Sequence, residues 1–167
     1  CKELHMGEGA VRTLIAHLKE LDLVDSIKAG TFLTHKGRKF ASKFSTIMPS
    51  QTFLKKCCLT NGKHNCAILL NNEHIDDIGN GMQQRDFAIL YGASDSLTLI
   101  FRDGEFVFSG DQMRCFADEL KIRDDLIESL EPENEDIVII TSSDDKFVAE
   151  ISAINTAIGT LATHEKH

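Results

Sequence analysis

The densest set of directional polar groups in the chain is Gly81-Met82-Gln83-Gln84-Arg85-Asp86, a glycine followed by a Gln-Arg-Asp triplet that opens an apolar run. An arginine there can grip a carboxylate or phosphate through two parallel N–H bonds, assisted by the free N–H groups of a helix start. With Gln84 and Asp86 orienting Arg85, the three residues form a candidate site for a small anionic effector. The more common use of such a triplet is structural, as a helix cap or a buried network that pins its helix to a sheet.

A second constellation lies in the first fifty residues. Val11, Leu14, Ile15, Leu18 and Leu21 recur at three- and four-residue intervals, the signature of one helix face. On the other side of that helix Glu8, Arg12, Thr13 and His17 would face outward. Leu23-Val24 and Thr31-Phe32-Leu33, joined by Lys28-Ala29-Gly30, read as a two-stranded ribbon. Thr34 is a suitable N-cap for a following helix in which Phe40, Phe44 and Ile47 share a face before Pro49 breaks it. Helix, ribbon, helix is the back part of a winged helix-turn-helix. Its candidate DNA contacts are Glu8, Arg12, Thr13 and His17 on the recognition helix, Lys28 at the wing tip, and Lys36, Arg38 and Lys39 at the next helix. Arg12 is the one suited to reading guanine. The chain opens at Cys1 in what reads as the end of a helix, so the expectation is that the unit's first helix is missing.

Charge supports two parts. Residues 1–50 carry eight Lys/Arg against five Asp/Glu, a net of +3; residues 51–167 carry ten against twenty-one, a net of −11. A basic head on an acidic body fits a small DNA-reading module joined to a domain of another kind. There is no run of about 18 uncharged apolar residues, which excludes a helical membrane span from the expectations.

The thiols and imidazoles do not add up to a metal site. Cys57, Cys58, His64, Cys66 and His74 match no zinc spacing, and Cys66 falls within an apolar run, so no metal and no cofactor are expected. Five cysteines without regular spacing suit reduced thiols in a cytoplasmic protein. No phosphate-binding glycine loop and no nucleophile pattern is present, and no enzymatic activity is expected. Ser142-Ser143-Asp144-Asp145 follows an apolar strand and precedes a helix, and reads as a cap, with Ser143 or Asp144 in the capping role.

The elements of the second part follow in order. Asn65 to Leu70 is a buried-type strand, and Asn71 to Gly81 a polar loop. Gln83 to Tyr91 is a helix ending at Gly92. Leu97 to Phe101 and Phe106 to Phe108 form a hairpin around Asp103-Gly104. Cys115 to Leu130 is a helix, Ile137 to Ile140 a buried strand, and Asp144 to Leu161 a helix with Val148, Ile151, Ile154 and Ile158 inward. The expected fold class is α+β: a partial winged helix-turn-helix, then a ferredoxin-like βαββαβ sandwich with a C-terminal helix. In that sandwich the helices cover one face of a four-stranded antiparallel sheet; a sandwich of different strand order fits the same segments. The expected division is a winged helix over 1–48, a linker over 49–64, and an α/β dimerisation or effector domain over 65–163.

GMQQRDFAILYGASDSLTLIFRDGEFVFSGD, Gly81 to Asp111, and EDIVIITSSDDKFVAEISAINTAIG, Glu135 to Gly159, resemble a family of archaeal proteins. Its members pair an N-terminal winged helix with a C-terminal domain of unassigned function. The resemblance implies transcriptional regulation and attaches no ligand to it. Phe87, Leu90 and Tyr91 are bulkier than the small-residue helix of the family, a difference that bears on any pocket beside that helix. The expectation is thus a homodimeric regulator of double-stranded DNA with a small anionic effector. The alternatives are a winged helix that contacts protein and, third, a small-molecule enzyme using Arg85 and Asp86.

Overall fold

The first helix, α1 (Glu8–Glu20), follows Gly7 in extended conformation and ends where the periodic apolar residues end. Asp22 sits at φ 58°, and the N–H groups of Asp22 and Leu23 reach back to Lys19 O and Leu18 O at 2.9 Å. This is a Schellman cap with aspartate in the position glycine usually takes. Strands β1 (Val24–Ile27) and β2 (Gly30–Leu33) pair antiparallel with Ile27 opposite Gly30, which leaves Lys28-Ala29 at the tip. Helix α2 (His35–Ile47) is capped as its sequence suggests: Thr34 Oγ1 accepts the Gly37 N–H at 3.0 Å and donates to Asp22 O at 2.6 Å. Phe40 and Phe44 meet edge to face at 5.1 Å. Gly37 is a glycine because α2 starts against the backbone of Leu23: a Cβ there would lie 1.9 Å from the Leu23 carbonyl oxygen.

The structure, a computed structural model, describes residues 5–56 and 58–162. The chain divides into two units between Thr46 and Ile47. Among the described residues of the first unit only Val24 and Gly37 are buried.

The second unit is built on one sheet. Its strands are β3 (Gln51–Leu54), β4 (His64–Leu70), β5 (Asp95–Arg102), β6 (Glu105–Phe108) and β7 (Ile137–Ser143), in the order β3-β4-β7-β5-β6, every neighbouring pair antiparallel. Strands β4 and β5 run parallel with β7 inserted between them, a split βαβ whose connection carries a 3-10 turn over Asn72–Asp77 and helix α3 (Met82–Leu90). Helix α4 (Leu120–Leu130) joins β6 to β7, and α5 (Lys146–Ala162) ends the unit. The β5–β6 turn is the Asp-Gly hairpin expected, with Asp103 and Gly104 at φ 53° and 82°.

The α+β class and the order of elements match the expectation; the layering differs from the one-faced sandwich. Residues 49–64 contain β3, which pairs with β4, so the sheet starts inside the span expected as a linker and has five strands. Helices lie on both faces. Leu69, Leu99, Phe101, Phe106, Val138 and Ile140 pack towards α4 with Leu126 and Leu130. Ile68, Leu70, Ile100, Ile137 and Ile139 pack towards α5 with Ala149, Ala153 and Ala157. The central strand β7 is covered on both sides, which is why its first four residues, Ile137 to Ile140, read as an unbroken apolar run.

Two helices are also corrected. The buried stripe of α5 is Ala149, Ser152, Ala153, Thr156, Ala157 and Thr160, not Val148, Ile151, Ile154 and Ile158. Small side chains let the helix axis approach the sheet and α3, and the larger residues flank the contact. Helix α4 begins at Leu120, because Phe116 adopts φ 58° and Cys115-Phe116 enter the core from a loop.

Candidate functional site

A cleft of about 480 Å³ opens in the second unit at the start of α3. Its lining comes from the Asn80-Gly81 turn, the beginning of α3 with Arg85, the first half of β5, and the segment after β6 with Ser109 and Asp111. Strand β6 pairs only with Leu99–Arg102, so β5 runs on past it; beyond that pairing the Ser109 N–H donates to Thr98 O at 3.1 Å. The cleft occupies the gap that the short strand leaves. Gly81 stands at φ 80°, with its Cβ position 2.8 Å from Ser109 Oγ and 3.1 Å from Thr98 Cβ, so only glycine turns the chain into α3 here.

The polar groups of this cleft are incompletely used. Asn80 Oδ1 accepts the Met82 N–H at 3.2 Å; next to it, at the start of α3 but outside the cleft lining, the N–H groups of Gln83 and Gln84 find no acceptor among the described residues. Ser96 and Thr98 are 7% and 6% exposed, yet their hydroxyls have no hydrogen-bond partner. A buried hydroxyl without a partner is uncommon, because it forfeits its bonds to water. Arg85 is exposed, its N–H donates to Gly81 O at 3.1 Å, and its guanidinium makes no ion pair or hydrogen bond among the described residues. Asp111 adds a carboxylate, one oxygen of which accepts the Met113 N–H at 3.0 Å.

The Gln-Arg-Asp triplet does not converge. Arg85 lines the cleft, but Gln84 is fully buried on the face of α3 turned to α5, where its Nε2 donates to Thr160 Oγ1 at 3.3 Å. Gln84 therefore pins α3 to α5, the structural use, and leaves the ligand set; consecutive helical residues point about 100° apart and cannot all face one pocket. Asp86 is exposed and outside the cleft lining. Asn80, Ser96, Thr98, Ser109 and Asp111 were not singled out by sequence. The available signal was the alternation of Ser96 and Thr98 with Leu97 and Leu99.

In the first unit Arg12 is paired with Glu8 one helical turn away, both well exposed. Thr13 Oγ1 donates to Gly9 O at 3.1 Å, and His17 is exposed in the last turn of α1. Lys36 Nζ donates to Leu21 O at 2.8 Å and Arg38 Nη1 to Leu33 O at 2.9 Å, so both brace carbonyls at the ends of α1 and β2. Lys28 and Lys39 are exposed and without partners among the described residues.

Two of the described thiols belong to the core. Cys66 and Cys115 are buried, and burial, the leading cause, pushes each thiol up to about 12. Cys58 contacts the Glu119 carboxylate through its N–H and its thiol. Cys57 and the side chain of His74 lie outside the described residues, and no group of three His, Cys, Asp or Glu able to hold a metal occurs among the described ones. The cap of α5 is Asp145, whose Oδ1 accepts the N–H groups of Phe147 and Val148 at 2.8 and 3.1 Å; Ser143 Oγ accepts the Asp145 N–H, and Asp144 takes no part. Among the described residues no helix is long and apolar enough to cross a membrane.

Comparison with known proteins places the cleft within a shared domain. Residues 61–161 match the family described as Domain of unknown function (DUF4443), and residues 1–39 match the PH0730-like, N-terminal domain. Among solved structures, the hypothetical protein PH0730 from Pyrococcus horikoshii OT3 is 28% identical, with a TM-score of 0.75 over 98% of this chain and 82% of that one. No curated protein matches the chain.

Proposed function

Taking as premise that the chain belongs to the DUF4443 family, which it matches over residues 61–161, we propose that it is a DNA-binding regulator. Its first unit acts as a winged helix, and its second unit dimerises and binds a small anionic effector. The observation that carries the reading is the helix–hairpin–helix order with exposed Lys28 at the tip of the ribbon and exposed Lys39 on the helix after it, neither committed to a carboxylate. On a duplex these ammonium groups would neutralise phosphates. The exposed Arg12–Glu8 pair holds Arg12 only weakly, since pairs of this kind are worth about 0–1 kcal/mol, so a guanine edge or a phosphate competes with Glu8. The acidic second unit would keep contact confined to the head.

Fluorescence anisotropy on a mixed-sequence duplex over a salt series tests the reading. Binding should weaken with salt, and Lys28→Ala with Lys39→Ala should reduce the slope of log K against log salt by roughly 0.9 per lost phosphate contact. A chain that binds no duplex even at low ionic strength sinks it.

One observation favours a second reading, a winged helix that contacts protein. Leu14, Leu21, Ile27 and Phe32 are exposed on the first unit at 38%, 57%, 63% and 45%. If apolar contact is their role, Leu21→Ser with Phe32→Ser abolishes self-association or partner binding and leaves any salt-dependent duplex binding unchanged.

A further inference from the structure

The cleft beside Arg85 has a composition that specifies its occupant further than "small anion". We propose that it holds a small phosphate monoester bearing free hydroxyls, with its phosphoryl group at the start of α3 and its carbon skeleton against Leu97 and Phe108. This deepens the effector reading above and rests on that reading for its regulatory meaning, although occupancy of the cleft does not itself require DNA.

Three features call for an anion. The N–H groups of Gln83 and Gln84 are without acceptors at the positive end of a nine-residue helix. The Arg85 guanidinium has no carboxylate partner among the described residues. Independently of the helix end, Ser96 and Thr98 are more than nine-tenths buried in the lining of the same cleft, and their hydroxyls lack partners. A pocket wall with two orphan hydroxyls is complete only when something polar reaches it.

The number and origin of the donors favour phosphate over carboxylate. They come from three segments: the start of α3, the edge of β5, and Ser109 after β6. A phosphoryl group presents three terminal oxygens, one for each segment, where a carboxylate presents two in a single plane. Asp111 then excludes a bare phosphate as the preferred guest. It repels a phosphate dianion whether free or esterified, but its carboxylate accepts a hydrogen bond from a hydroxyl on the carbon skeleton, which only the ester carries, while one oxygen remains with the Met113 N–H. A space of about 480 Å³ is also far larger than one phosphate and within the usual range for small metabolites.

The test is amide NMR on the full chain, titrated with glycerol phosphate, inorganic phosphate and glycerol at constant ionic strength. The expected result is saturable movement of the Gln83 and Gln84 amide signals with glycerol phosphate, weaker movement with inorganic phosphate, and none with glycerol. Arg85→Gln, at an exposed position where the fold is not at stake, should weaken glycerol phosphate binding at least about tenfold, the usual scale for losing a charged hydrogen bond. Thr98→Val keeps the volume and removes the hydroxyl, and should weaken it several-fold. Asp111→Asn should erase the preference for the ester over inorganic phosphate. Absence of saturable movement, or an unchanged affinity in Arg85→Gln, overturns the site; tighter binding of inorganic phosphate overturns the ester. A cleft that fills in a protein without duplex affinity removes the regulator reading and leaves the site standing. Duplex binding with an empty cleft does the reverse.

Discussion

Gly37→Ala is the sharpest perturbation of the first unit. The added methyl carbon would sit 1.9 Å from Leu23 O and 2.8 Å from Leu23 C, where ordinary contact begins near 3.4 Å, so α2 and the β1 entry must part by about 1.5 Å. The obstacle is backbone, with no flexible side chain to swing away. Separation by that amount stretches Thr34 Oγ1 to Asp22 O at 2.6 Å and Lys36 Nζ to Leu21 O at 2.8 Å, the bonds that tie α2 to the end of α1. Overpacking of this kind costs about 1–3 kcal/mol and each weakened hydrogen bond about 0.5–1.5 kcal/mol. The intrinsic preference of alanine for helix returns at most about 1 kcal/mol. The net expectation is destabilisation by roughly 1–5 kcal/mol. A unit of this size with two buried residues among those described has little margin to absorb it. Hydrogen exchange read by mass spectrometry on the full chain should show loss of protection across residues 8–46, with the strands of the second unit unchanged. Gly9→Ala is the control: its Cβ meets nothing within 4 Å, so it should be neutral or slightly stabilising. Equal protection in Gly37→Ala and the unsubstituted chain would refute the close approach of α2 to Leu23.

Two further expectations concern the second unit. Arg102 holds Glu135 through two bonds of 2.7 Å, and this keeps the Glu135 carboxyl below its ordinary range. Its stabilisation is present above the usual carboxylate pKa and is lost as pH falls through the lowered value. Urea midpoints for Glu135→Gln should therefore fall less steeply than those of the unsubstituted chain below about pH 4.5; parallel profiles would show that the pair is not linked to folding. For the thiols, burial of Cys66 and Cys115 predicts that iodoacetamide at pH 8 labels Cys58 in the folded chain and reaches the other two only on unfolding. Peptide mapping that finds Cys66 labelled at the same rate as Cys58 would contradict the packing of β4.

What the sequence determined by itself is mostly local. The turn at Asp103-Gly104 and the cap at Thr34 each depend on neighbours within a few residues, and the buried character of Ile137 to Ile140 was legible as an unbroken apolar run. Tertiary structure decided whatever depends on distant segments meeting. Periodicity gave α5 an inward stripe of Val148, Ile151, Ile154 and Ile158, because hydrophobicity was the only property it could weigh. The sheet and α3 instead accept Ala149, Ala153 and Ala157, since close approach of two backbones is limited by side-chain size. The insertion of β7 between β4 and β5 is a matter of long-range pairing with no local mark in either strand. The cleft follows the same rule. Arg85 could be named from its surroundings in sequence, but Ser96, Thr98 and Asp111 join it only because β6 stops short of the end of β5 and leaves a gap against the start of α3. Gln84, adjacent to Arg85 in the chain, is turned towards α5 by the roughly 100° step of the helix alone.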